Sequence, residues 1–336
     1  MGKGICFAGN ILVDETYPVD GYPRESELAH ILGNTSKSLG GLAANCSFVA
    51  AALDPDFHVS VSACIGDDEL GKYVRERFAE HPNINTAMLV SSATVGTGYT
   101  LVISNMKSKA RTFFTYTGAN RLYGEKSVDW DNLSADIIHA GYIFLLEGMD
   151  ELDAVYGTKM AAFLHAAQKH GFKTSVDVVS QVGADFPKYV PPALKYTDYC
   201  IINELEAQQT AGILLRDDDG TLHRENFKPA LEKLKSFGVG LWAIIHCPEL
   251  SCGIDENGEY HEVESLKLPD GYIKGTVGAG DAFCAGVLYA ADNGRNMPEA
   301  MLIGNCTAAA SLSEPGAIEG IRSLSEVMQL AEKYGR

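Results

Sequence analysis

No apolar stretch of this sequence approaches the about 20 residues that a membrane-spanning helix needs, and the short run in Met1 to Ala8, with one basic residue, is too brief for a secretory signal. A cytoplasmic protein with no membrane partner is expected. Basic residues are scarce: 27 Lys and Arg stand against 44 Asp and Glu, a net charge of −17. Nucleic acids and anionic bilayers bind clustered cations, so neither is expected as a partner. A cysteine framework is missing too. Cys6, Cys46, Cys64, Cys200, Cys247, Cys252, Cys284 and Cys306 are scattered through mostly apolar segments and read as buried reduced thiols. His246, Cys247 and Cys252 form the one local cluster, and no second pair follows to complete a zinc site. Internal repeats, linkers and low-complexity tracts are likewise absent.

The 336 residues present, 46% of them hydrophobic, suffice for a large core. Ile5 to Ala8 is a buried-strand run that Ile11 to Val13 is expected to continue, placing Asn10 and Asp14 near a strand end. Glu15 to Ser38 is polar and broken by Pro18 and Pro23, an excursion from the core. Gly40-Gly41 opens an alanine-rich helix to about Leu53, with Asn45 one turn in. Val59 to Ile65 reads as a strand, followed after Asp67-Asp68 by a helix with Leu70, Val74 and Phe78 at intervals of four. Alternation from Tyr99 to Ile103 and from Thr112 to Tyr116 predicts a hairpin across Asn105 to Ala110. The excursions at about 15–38 and 96–118 together predict a small β lid inserted in one α/β domain spanning residues 1–336.

Beyond it the pattern is strand, helix, strand, helix. Ile137 to Leu146 ends at Glu147, a helix over 153–170 stops at Gly171, and Thr174 to Val179 is a strand containing Asp177. Tyr199 to Ile202 delivers Asn203-Glu204-Leu205-Glu206, whose spacing is that of a capping box. A helix over 227–237, a strand over 241–245 and a hairpin turning at Asn257-Gly258 follow, then a small-residue helix from Met297 to Leu312 carrying Asn305. This alternation predicts an α/β fold: a doubly wound, mostly parallel sheet flanked by helices. Ligands of such sheets sit beyond the C-terminal strand ends, where Asp14, Gly40, Gly41, Glu147, Asn203, Glu206 and Asp281 are all placed.

The most informative stretch is Thr276-Val277-Gly278-Ala279-Gly280-Asp281. Three residues with almost no side-chain bulk run into the helix from Ala282 to Ala291, so backbone N–H groups at its start can close on an anion, helped by the helix dipole. A carboxylate at such a place is commonly a cap, and Asp281 on its own does not announce chemistry.

Gly40-Gly41-Leu42-Ala43-Ala44-Asn45 early, Gly278-Ala279-Gly280-Asp281 late and Asn203-Glu204-Leu205-Glu206 between them resemble, in order and spacing, the ribokinase-like (PfkB) family of carbohydrate and nucleoside kinases. The resemblance implies ATP and Mg²⁺ as cofactors and a small sugar or nucleoside as acceptor. It implies Asp281 as general base, Gly278, Ala279 and Gly280 as anion hole, and Asn203 and Glu206 as holders of Mg²⁺ through water. Asp14, Gly40, Gly41 and Asn45 match sugar contacts, Asn10 a position used by nucleoside kinases, and Glu147 a further substrate contact. His246, Asn203, Asn305 and Gly316 fall on the nucleotide side of the family pattern. Relatives often pair through the lid, so a homodimer is implied. Three positions depart. Gly275 stands where the family usually has an aspartate of a monovalent-cation site, leaving that cation open; the stretch from His246 to Ser251 replaces a threonine and glycines along the nucleotide; Leu12 replaces the asparagine of ribokinases. The readings are a sugar kinase, a nucleoside kinase, or a sugar- or nucleotide-binding protein impaired in catalysis.

Overall fold

A computed structural model describes residues 4–335 apart from 109 and 182; the start of the N-terminal run and one residue of the hairpin link lie outside the described residues. In chain order the elements are β1 (Ile5–Gly9), β2 (Leu12–Val19), β3 (Ser36–Gly40), α1 (Leu42–Leu53), β4 (Val59–Gly66), α2 (Glu69–Ala79), β5 (Ile84–Ser92), β6 (Tyr99–Asn105), β7 (Arg111–Tyr116) and β8 (Ile137–Ile143). The two-residue strands β9 (Leu152–Asp153) and β10 (Gly157–Thr158) lead into α3 (Lys159–Lys169), β11 (Lys173–Val178), α4 (Phe186–Leu194), β12 (Tyr199–Asn203), α5 (Glu204–Ala211) and α6 (Phe227–Ser236). The chain closes with β13 (Trp242–His246), β14 (Leu250–Ile254), β15 (Tyr260–Glu264), α7 (Ala279–Asp292), α8 (Met297–Ser311) and α9 (Leu324–Tyr334).

Nine strands form one sheet in the order β15-β14-β13-β12-β11-β8-β1-β4-β5, parallel from β13 to β5, with β14 and β15 antiparallel at one edge. Its inner strands are buried on both faces because both are covered, while the edge strands β5 and β15 are partly exposed. Ile5 and Phe7 of β1 point into a core shared with α1, α2, α7, α8 and α9, while Cys6 and Ala8 point into a second core under α3 to α6. Among the described residues no helix is long and apolar enough to cross a membrane, and all eight cysteines are free, seven of them buried.

The expected continuation of β1 through Ile11 to Val13 does not occur. After Gly9 the chain leaves the large sheet, and Leu12–Val19 becomes the second strand of a separate four-stranded sheet, β3-β2-β6-β7. That sheet joins two distant excursions, since β2 pairs β6 in parallel while β3 and β7 flank them antiparallel. The helix expected over 153–170 begins at Lys159, where the side chain of the N-cap Thr158 accepts the N–H of Ala161. The strand β5 had no sequence signature, because its burial does not alternate.

Candidate active site

The parallel strands all deliver their C-terminal ends to one edge of the large sheet. Asn10 follows β1, Tyr142 lies at the end of β8, Asp177 at the end of β11, Asn203 closes β12 and His246 closes β13. Helices α1 and α7 begin at the same edge. The turn before α7 needs glycine: Gly278 is its N-cap with φ of 77°, and a Cβ there would collide with Ala317.

Asp281 is the third residue of α7, a position from which it would ordinarily cap its own helix. Its carboxylate is instead taken by other elements. Asn45 of α1 donates from Nδ2 to Oδ2 at 2.8 Å, and the Tyr142 hydroxyl donates to Oδ1. Asp281 is 5% exposed, and burial raises its pKa against the lowering effect of the Tyr142, Asn45 and Cys46 contacts.

Asp281 faces a cleft of about 650 Å³, whose lining includes Asp14, Gly40, Gly41 and Asn45, together with Thr16, Lys37 and Phe113 of the small sheet. The small sheet thus forms one wall and the start of α7 the other. Asp14 is pushed up to about 6 by desolvation, offset in part by the Thr100 hydroxyl. Asn45 Oδ1 is buried without a hydrogen-bond partner, a deficit of about 1–3 kcal/mol that a donor entering the cleft would relieve. On the other side of the turn lies a second cleft of about 840 Å³, lined among others by Asn203, His246, Thr276, Ala279, Gly280 and Asn305. Gly278 lines the first cleft and Ala279 and Gly280 the second, so one glycine turn is the partition between them.

The walls of the second cleft are held firmly. Asn203 and Glu206 form the capping box: Asn203 Oδ1 accepts the N–H groups of Leu205 and Glu206 at 2.9 and 3.0 Å, and Glu206 Oε2 accepts that of Asn203 at 3.0 Å. Glu206 lies behind Asn203, 5% exposed, with Ser180 donating to Oε1 at 2.8 Å; burial pushes it up to about 7. Asp177, also buried, is raised by desolvation and then by the charges of Glu206 and Asp281. The oxygen donors of Asn203 and Glu206 suit a hard cation that keeps its waters, which fits magnesium. His246 lies 4.6 Å from the Phe283 ring, centroid to centroid, and burial lowers it to about 4, so it is a neutral, flat wall. Asn305 spends its amide on the backbone, donating to Glu264 at 3.3 Å.

The model of the pfkB family of carbohydrate kinases matches residues 4–324. This chain belongs to that family. It is a phosphotransferase with an alcohol group as acceptor. The chain is 24% identical to a ribokinase of Haemophilus influenzae over 99% of both chains, and 25% identical to an adenosine kinase of Schizophyllum commune over 82% of this chain and 80% of that one. Among solved structures, Arabidopsis thaliana ribokinase complexed with ribose and ATP superposes with a TM-score of 0.80 at 20% identity, covering 98% of this chain and 99% of that one. The nucleoside kinase of Methanocaldococcus jannaschii superposes with a TM-score of 0.74 at 21% identity, covering 99% of each chain.

Two expected site residues of this PfkB kinase stand elsewhere than anticipated, and a third, Asn10, also has a structural task. Glu147 is exposed and accepts from the Thr117 hydroxyl at 2.7 Å, outside the lining of the Asp281 cleft, because β8 ends at Ile143 and the chain turns away before it. Gly316, expected on the nucleotide side, lines the Asp281 cleft, because the loop from Pro315 packs against Gly275 and Gly278 on that side of the turn. Asn10 is 1% exposed and braces the start of α1, accepting the Leu42 N–H on Oδ1 at 3.2 Å and the Ala43 N–H on its carbonyl, also at 3.2 Å, while its Nδ2 is buried without a partner near Gly41. Tyr142, Ser180 and Asp177 were not singled out as site residues. Tyr142 sat mid-strand in the expected Ile137 to Leu146 run; only the earlier strand end, followed by the turn at 144–146, puts its hydroxyl at the site edge.

Proposed function

We propose that this kinase uses ATP to phosphorylate a hydroxymethyl group of a small sugar, with Asp281 as general base and the backbone of Gly278 to Gly280 as anion hole. The observation that carries the reading is the shared partition: the Asp281 carboxylate faces one cleft while Ala279 and Gly280 line the other. An acceptor in the first cleft and a nucleotide in the second then meet across the glycine turn.

Asp14 and Asn45 would take hydroxyls of the sugar, Asn45 through the Oδ1 that has no partner. Asp281 accepts the proton of the hydroxyl being phosphorylated; the new bond forms from that oxygen to the γ-phosphorus as the bond to the β-phosphate oxygen breaks and ADP leaves with the electron pair. The first-turn N–H groups of α7 have no acceptor within the helix, and Ala279 makes only a long bond to the Thr276 carbonyl at 3.4 Å, so they would stabilise the charge of the transferring group. Magnesium would supply further charge neutralisation, held through water by Asn203 and Glu206. An ADP-release assay with Mg²⁺ over a panel of sugars and nucleosides tests the reading, and no turnover on any of them would overturn it. Asp281→Asn should lower kcat by about 10²- to 10⁴-fold; a loss under tenfold would remove the base role.

A nucleoside kinase is the second reading, supported by relatives named adenosine kinase and nucleoside kinase and by a cleft of about 650 Å³, roomy enough for a nucleoside. Phosphorylation of adenosine or inosine with sugars ignored would decide for it. Under either substrate reading we propose the small sheet as lid and as dimer interface. Its edge strand β7 exposes Phe113 at 57% and Phe114 at 61%, and the connection between β2 and β3 exposes Leu28, Ile31 and Leu32. Light scattering should give twice the 36.1 kDa chain mass, and a monomer would contradict it.

A further inference from the structure

We propose that Tyr142 is a positioning residue of the catalytic base: its hydroxyl donates to Asp281 Oδ1 while Asn45 donates to Oδ2, fixing the carboxylate as an ionised acceptor turned toward the sugar cleft. The proposal rests on the assignment of Asp281 as base.

The geometry is specific. Tyr142 is the sixth residue of a seven-residue strand, between the ends of β1 and β11, with its ring packed on the core beneath α1 and α7 and its side chain lining the Asp281 cleft. The ring has few rotatable bonds and is wedged, so its hydroxyl is a fixed donor. Asn45, one turn into α1, is the second fixed donor, at 2.8 Å. Two donors from two elements hold both carboxylate oxygens, which sets the direction of the remaining lone pairs.

Among the described residues the one other donor to the carboxylate is the Cys46 thiol, a weak donor at long range. Cys46 of α1 lies 3.5 Å from the Asp281 carbonyl and 3.9 Å from Oδ1, and its thiol is raised by burial. Cys284, one turn further along α7, is raised in the same way and sits against His139, 3.5 Å away, which burial lowers to about 3 and keeps neutral. Asp177 on β11 is raised by desolvation and by Glu206, and Asp14 faces the same cleft from β2. Lys37, Arg77 and Arg111 also line the cleft, but Lys37 pairs with Glu15 at 2.8 Å and Arg77 with Glu80 at 2.6 Å, and among the described residues no cation is hydrogen-bonded to Asp281. Neutral donors do here what an ion pair does elsewhere: they favour the charged form of a buried carboxylate.

The test is the pH dependence of kcat/KM. In Tyr142→Phe the acid limb moves to higher pH by about one unit or more, because the ionised base has lost a charge-assisted hydrogen bond. Replacing Tyr142 site-specifically with 3-fluorotyrosine, a stronger donor of nearly the same shape, moves the limb to lower pH and decides the matter if the phenylalanine variant does not fold. A limb that stays in place in both variants overturns the proposal, as does an equal loss at every pH. A rise in KM with the limb unmoved also overturns it and assigns Tyr142 to substrate contact. If Asp281→Asn is inactive and the limb still does not move, the positioning role alone fails; if Asp281→Asn retains activity, the base assignment itself fails.

Discussion

Asp14→Asn should make the ligand-free protein more stable while damaging catalysis. Burial pushes Asp14 from an ordinary 3.8 to about 6, so the folded protein holds this proton more tightly than the unfolded chain does. For an acid raised on folding, stability is fullest below about 4 and is lost as pH rises through about 6. The two-unit difference corresponds to about 3 kcal/mol at pH 8, using about 1.4 kcal/mol per unit. Because Asp14 faces a cleft open to solvent, the gain expected from a neutral asparagine is about 1–3 kcal/mol, or roughly 1.5 to 4 °C in Tm for a chain of this length. Calorimetric melts at pH 4.5 and pH 8 measure it: the gain should be clearly larger at pH 8. A gain independent of pH, or a loss of stability at pH 8, would refute the reasoning. In the ADP-release assay the same variant should raise KM for the acceptor at least about tenfold, the cost of one hydrogen bond to a charged group. The conflict is the usual one between a site built for substrate and a chain built only to fold.

Two further outcomes test the glycine turn and its neighbours. Gly278→Ala places a side chain at φ of 77° and against Ala317, so the turn must shift, and kcat should fall at least about tenfold even where the variant still folds; a change under twofold would contradict the turn's role. Catalysis should be the same within about twofold in KCl and in choline chloride of equal ionic strength. A Cβ at Gly275 would lie 2.6 Å from the Pro315 carbonyl oxygen, and Lys274 Nζ reaches Glu314 at 3.4 Å across the same two loops, so an ammonium already bridges them. A rise of more than about fivefold with potassium would refute this.

Features that depend on neighbours in sequence were legible from the sequence. The Asn203–Glu206 capping box, the helix from Leu42 to Leu53, the cap at Asp68 and the turn at Asn257-Gly258 all follow from spacing, because the groups that bond lie a few residues apart. So does the doubly wound sheet, whose alternation of strand and helix leaves few topologies open. Tertiary structure alone decided where Leu12–Val19 goes, since a half-buried strand carries no mark of which sheet it joins. It also excluded Glu147 from the cleft and moved Gly316 to the Asp281 side of the turn, both through the paths of connecting loops. Above all it decided which groups Asp281 bonds to. In sequence a carboxylate third in a helix is a cap; in the fold its oxygens are taken by Asn45 and Tyr142, 236 and 139 residues away. Periodicity records which side of a strand is buried, whereas the order of strands in the sheet brings those two donors to the same carboxylate.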